Sequence, residues 1–136
     1  MQALPYLNFN GNCREAFESY AKILGGEIVA AHTYAEMPPE HCPPGAGDRI
    51  MHISLTFGDG RLMGSDCPPT MPPDTPGGFW VSLNPATVAD GERIFNAFAD
   101  GGSVVMPFGP TFWAAGFGMV TDRFGTPWMI NCEAAG

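Results

Sequence analysis

The run Cys67-Pro-Pro-Thr-Met-Pro-Pro-Asp-Thr-Pro-Gly-Gly78 packs five prolines into twelve residues. Proline fixes φ and lacks an N–H, so this run reads as a stiff linker between folded segments. The same order of signals stands on its two sides. Upstream, Tyr6–Phe9 alternates apolar and polar residues as a short strand does. Asn12 with Glu15 is a capping-box-like helix start, with an expected inner stripe of Ala16, Phe17, Tyr20, Ile23 and Leu24 and a stop at Gly25-Gly26. Strands are expected at Ile28–His32, Met51–Phe57 and Arg61–Ser65, the last two joined by the tight turn Phe57-Gly-Asp-Gly60. A long loop, Met37–Asp48, carries Pro38, Pro39, Pro43 and Pro44. Downstream the order restarts: strand Phe79–Leu83, helix Thr87–Asp100 with Phe95 and Phe98 inward, a stop at Gly101-Gly102, then strands Ser103–Met106, Phe117–Thr121 and Trp128–Cys132.

Each half therefore reads strand, helix, strand, loop, strand, turn, strand. The expected fold class is α+β, with two tandem βαβββ modules, 1–66 and 79–136, joined by the linker 67–78 into one domain. A helix covers only one face of a sheet. Two such halves would turn their uncovered faces into a shared cavity inside curved mixed sheets, with the helices outside.

Composition narrows the function. The chain has 136 residues, fourteen Asp and Glu against six Lys and Arg, and a formal charge of −8. That balance argues against nucleic acid as a partner. No apolar run reaches the roughly 18–20 residues of a membrane-spanning helix, and no basic start precedes a long apolar segment. Cys13, Cys42, Cys67 and Cys132 include no C-x-x-C pair. Reduced thiols and a cytoplasmic location are expected.

Three longer stretches resemble a known family: PYLNFNGNCREAFESYAKILGGE at 5–27, GDRIMHISLTFGDGRLMGSD at 47–66 and TFWAAGFGMVTDRFGTPWMIN at 111–131. They are similar to the PhnB-like branch of the vicinal oxygen chelate superfamily, with glyoxalase I, bleomycin-resistance proteins and extradiol dioxygenases as wider relatives. The resemblance spans nearly the whole chain. It implies paired βαβββ modules around a cavity and a homodimer. In the wider superfamily, His and Glu side chains on the first and last strands of each module hold a divalent metal. Those slots fall here on Leu4, Pro5 or Tyr6, on Met63 or Gly64, on Trp80, and on Met129 in place of a carboxylate. The resemblance thus implies no superfamily metal centre, and no cofactor is expected. A ubiquinone-methyltransferase name attaches to some members of the branch. No Gly-rich loop of the kind a methyl-donor nucleotide needs follows a strand in this chain.

Strand alternation selects the candidate ligand pocket. If Leu7, Phe9, Val81 and Leu83 pack on helices, Tyr6, Asn8, Trp80 and Ser82 face the cavity, joined by Met129 and Asn131 and by Trp113 and Phe117 from the loop and strand before them. Such a lining suits a small aromatic or apolar molecule oriented by a few amides and hydroxyls. His52 and Asp66 complete the set, and a His52–Asp66–His41 cluster is conceivable if the long loop folds over. The function expected is metal-free binding or sequestering of a small molecule, of the glyoxalase and bleomycin-resistance type. The alternative is an enzyme of that superfamily with displaced acid–base or metal groups at His52 and Asp66. A Ser54–His52 dyad is not expected, because two residues of strand rise hold them about 7 Å apart.

Overall fold

In the computed structural model, which describes residues 1–71 and 75–133, both halves of the chain build the expected unit. Contacts divide the chain into two compact units, Met1–Asp74 and Thr75–Gly136, with the boundary inside the proline run. Residues 72–74 of that run and the last three residues of the second module lie outside the described residues.

The first unit contains β1 (Tyr6–Phe9), α1 (Cys13–Leu24), β2 (Glu27–Thr33), β3 (Ile50–Phe57) and β4 (Gly60–Asp66). Its sheet order is β1-β4-β3-β2, with β1 parallel to β4 and the other pairs antiparallel. Leu7, Phe9, Ile53, Leu55 and Leu62 are buried. α1 adds Cys13, Ala16, Phe17 and Tyr20 to that core. The apolar stripe therefore begins one turn earlier than expected, and Ile23 and Leu24 are half-buried. Gly64 lets the helix approach, since a Cβ there would stand 2.8 Å from the Phe17 ring and from the Leu7 carbonyl.

The N-terminus of α1 departs from the expected capping box. Asn12 occupies the cap but makes no capping side-chain bond, and its ψ of 20 is not the extended value such a cap needs. Asp66 replaces it: Oδ1 accepts from the N–H groups of Gly11 and Cys13 at 2.8 and 3.0 Å. At the other end Gly25 takes the left-handed conformation, φ 64, that ends the helix as expected. A 3-10 turn, Tyr34–Glu36, precedes the long loop, whose far end is tied down within the same unit. Ala46 is fully buried, the Ala35 N–H donates to the Gly47 carbonyl, and Arg49 Nη1 donates to Asn10 Oδ1 and the Cys67 carbonyl.

The second unit contains β5 (Val81–Leu83), α2 (Val88–Ala99), β6 (Ser103–Gly109), β7 (Ala114–Thr121) and β8 (Pro127–Glu133). The order β5-β8-β7-β6, with β5 parallel to β8, repeats the first sheet. α2 lies 75 positions beyond α1 at both ends (13 to 88, 24 to 99), as a duplication requires. Phe98 stacks on Trp128 at 4.3 Å between ring centroids, which places Trp128 in the core. Gly118 receives the Phe95 ring. β5 is shorter than the expected strand, so exposed Phe79 and half-buried Trp80 precede it. β6 is an edge strand containing Pro107, with two register shifts and with Val104, Val105 and Met106 exposed. No helix among the described residues is long and apolar enough to cross a membrane.

Candidate functional site

In each unit, most of the candidate residues lie on the sheet face opposite the helix. On the first sheet, alternation sends Leu7 and Phe9 toward α1 and leaves Tyr6 and Asn8 on the open face. Register then aligns the neighbours, since directly paired residues project to the same side. Tyr6 pairs with Met63 and Met63 with Ser54; Asn8 pairs with Ser65. His52 and Thr56 flank Ser54 on the same face of β3. The Tyr6 hydroxyl and His52 Nδ1 are hydrogen-bonded at 3.2 Å, and their rings stack at 5.8 Å. Ser54 is only 5% exposed, and its hydroxyl has no hydrogen-bond partner.

Asp66 does not belong to this face. One residue beyond Ser65, alternation turns it to the helix side, where it is buried. There Oδ1 holds the start of α1 and Oδ2 accepts from the Ile50 N–H at 2.9 Å. Its oxygens are committed to backbone, which corrects its expected place in the pocket and as partner of His52. His41 is exposed in the proline loop, so the three residues do not gather. Among the described residues, no group of three or more His, Cys, Asp or Glu is arranged to hold a metal ion.

Burial, followed by the nearby Asp66 charge, pushes the Cys13 thiol far above its ordinary value. Burial likewise raises the Tyr34 phenol, whose hydroxyl donates to the Asp66 carbonyl, and the Cys132 thiol. All four cysteines are unpaired, and none of these shifts favours a thiolate.

On the second sheet, Ser82 pairs with Met129, Met129 with Met119, and Met119 with Met106, which makes a row across all four strands. Asn131 pairs with Phe117 in the next row, and Asn131 Oδ1 is buried without a partner. Trp113 contacts Phe117 edge-on at 5.2 Å and Phe112 at 4.9 Å. Trp80 is half-buried and lies just before β5, outside the paired residues. The first unit thus unites Tyr6, Asn8 and His52, and the second unites Ser82, Phe117, Met129 and Asn131, with Trp113 beside Phe117. Sequence reasoning missed the methionine row and the weight of Ser54. Single-strand alternation gives a residue's face but not its neighbour across the sheet.

The donor set at the superfamily's metal slots does not fit its cation. Leu4, Pro5 and Gly64 have no side-chain donor, and Tyr6, Met63, Trp80 and Met129 offer a phenol, thioethers and an indole. Hard and borderline divalent ions prefer carboxylate and imidazole.

Comparison with known proteins matches this architecture. Escherichia coli protein YjdN is 38% identical over 140 residues, covering 96% of this chain and 95% of that protein. Protein PA1353 from Pseudomonas aeruginosa has a crystal structure with 52% identity and a TM-score of 0.90, each chain being 98% covered. A structure described as a putative 3-demethylubiquinone-9 3-methyltransferase, PhnB protein, from Bacillus cereus has a TM-score of 0.81 at 22% identity, with 97% and 99% coverage, and so shares the fold. The profile of one family spans residues 5–130, and with these relatives it shows that the chain belongs to the Glyoxalase/Bleomycin resistance protein/Dioxygenase superfamily.

Proposed function

We propose that this protein binds or sequesters a small planar aromatic or apolar molecule, without a metal at the superfamily slots. The observation that carries the reading is a buried polar atom without a partner on each open face: the Ser54 hydroxyl and Asn131 Oδ1. Buried polar groups are nearly always satisfied, so a ligand or an ordered water is expected to complete them. Tyr6 and Met63 share the Ser54 face, and Phe117, Met119 and Met129 share the Asn131 face; their flexible thioethers and flat rings adapt to an apolar body. Chemistry at His52 and Asp66 is disfavoured because Asp66 is occupied by three backbone N–H groups.

Tryptophan fluorescence and thermal shift test this with a panel including naphthol and quinoline. Binding should quench Trp80 or Trp113 and raise the melting temperature equally with and without chelator. Ser54→Ala or Asn131→Ala should weaken it about tenfold, the value of one hydrogen bond of roughly 1.4 kcal/mol. Failure of every planar compound to bind, or metal-dependent turnover, would reject the reading. A cytoplasmic homodimer is part of the proposal, supported by the family resemblance and by exposed Val104, Val105 and Met106. Light scattering at 14.5 kDa would count against the dimer.

A further inference from the structure

We propose that His32 and His52 form a two-imidazole site for a borderline first-row cation such as Zn²⁺ or Ni²⁺. The two residues are direct partners across the antiparallel β2–β3 ladder. Opposed side chains in such a ladder project to the same face with Cβ atoms about 4.5–5.5 Å apart, within reach of one ion between two rings. The register is unbroken from the Ala30–Ser54 pair through Ala31–Ile53 to this pair, and the next shift follows it, between His32 and Thr33.

Both rings are held at the nitrogen that a cation would not use. His32 Nδ1 lies 3.1 Å from Glu36 Oε1, and Glu36 Oε2 in turn accepts from the Thr33 N–H at 2.7 Å. A carboxylate accepts, so the hydrogen bond to Glu36 occupies His32 Nδ1 and leaves Nε2 as the nitrogen for a cation. A carboxylate behind the far nitrogen of a ligating histidine is the arrangement that orients the ring and raises its basicity. His52 Nδ1 is engaged by the Tyr6 hydroxyl, which can accept as well as donate. With Tyr6 accepting, Nε2 of His52 is also a lone-pair donor. Water would fill the remaining positions of the ion. This site shares His52 with the open face but uses none of the superfamily slots, and it stands independently of the ligand reading.

The test is titration of the untagged full chain with ZnCl₂ and NiCl₂ by calorimetry. In parallel, imidazole carbon–proton NMR of the unaltered protein should show His32 and His52 perturbed and His41 unchanged. One ion should bind per chain. His32→Asn and His52→Asn should each abolish that binding, His41→Asn should leave it intact, and Glu36→Gln should weaken it about tenfold. His32 is exposed, so loss in its variant with an unchanged melting temperature reports on the ligand and not on folding. Unaltered affinity in His32→Asn, or perturbation of His41 in place of the pair, would overturn the proposal.

Discussion

The two modules reach the same βαβββ plan with different fastenings. In the first, Asp66 at the end of β4 reaches across to the N–H groups of Gly11, Cys13 and Ile50, tying the start of the helix and of β3 to the sheet. Glu133, at the matching end of β8, is exposed. The second module places its buried carboxylate in the β7–β8 turn. There Asp122 accepts from the Phe124 and Thr126 N–H groups and from the Trp128 indole, and the helix cap falls to Thr87, which accepts from the Asp90 N–H. Duplication preserved the layout of elements while each copy found its own polar anchors. The helical scaffold is shared, and the connections between strands are where the copies differ.

The sharpest way to break this comparison is Asp66→Ala. Three N–H groups lose their acceptor, and denaturant unfolding should show a loss of about 3–5 kcal/mol. A loss under about 1 kcal/mol would mean that water replaces the carboxylate readily.

Next comes a swap at matching helix positions, Ala16 in α1 and Gly91 in α2, both buried. A Cβ on Gly91 would collide with Cys132 Sγ and lie 3.1 Å from the Phe108 ring. Gly91→Ala should therefore destabilise by about 1–3 kcal/mol despite its better helix propensity, and Cys132→Ala should recover part of the loss.

A third difference is Cys13, buried in the first helix where the second has exposed Val88. The Cys13 pKa is raised in the folded state, so its stabilising contribution is complete below the ordinary thiol value of 9.0 and is lost as pH rises toward the folded value. Each pH unit above that ordinary value should remove up to about 1.4 kcal/mol. Cys13→Ala should flatten the slope, and an unchanged slope would assign it to other groups such as Tyr34.

The smallest contrast lies in the caps. Thr87→Ala should cost about 1 kcal/mol, whereas Asn12→Ala should cost less than about 0.5 kcal/mol because Asn12 makes no capping bond.

Much of the fold was legible because local signals agreed with one another. The glycine stop at Gly25, the Phe57–Gly60 turn and the alternation of Tyr6–Phe9 each predict a feature that does not depend on distant contacts. Asp66 was misplaced for the opposite reason. A carboxylate at a strand end beside polar residues reads as a pocket group, and only the tertiary approach of Gly11, Cys13 and Ile50 turns it into an internal anchor. The pairing of His32 with His52 was invisible for a related reason. It depends on the β2–β3 register, which the shift between Ile28 and Ala30 alters. On the candidate site, residue faces came from alternation, while the rows across the sheets came from strand order.

Pro107 gives the exposed edge of the second sheet a further meaning. Open strand edges invite neighbouring chains to add strands indefinitely, the route to fibrils. Lacking an amide hydrogen, and lying within the ladder's second interruption, between Met106 and Gly109, Pro107 spoils β6 as a template for such growth. The strand can therefore keep Val104, Val105 and Met106 on display for side-chain recognition, while self-propagating backbone pairing is discouraged.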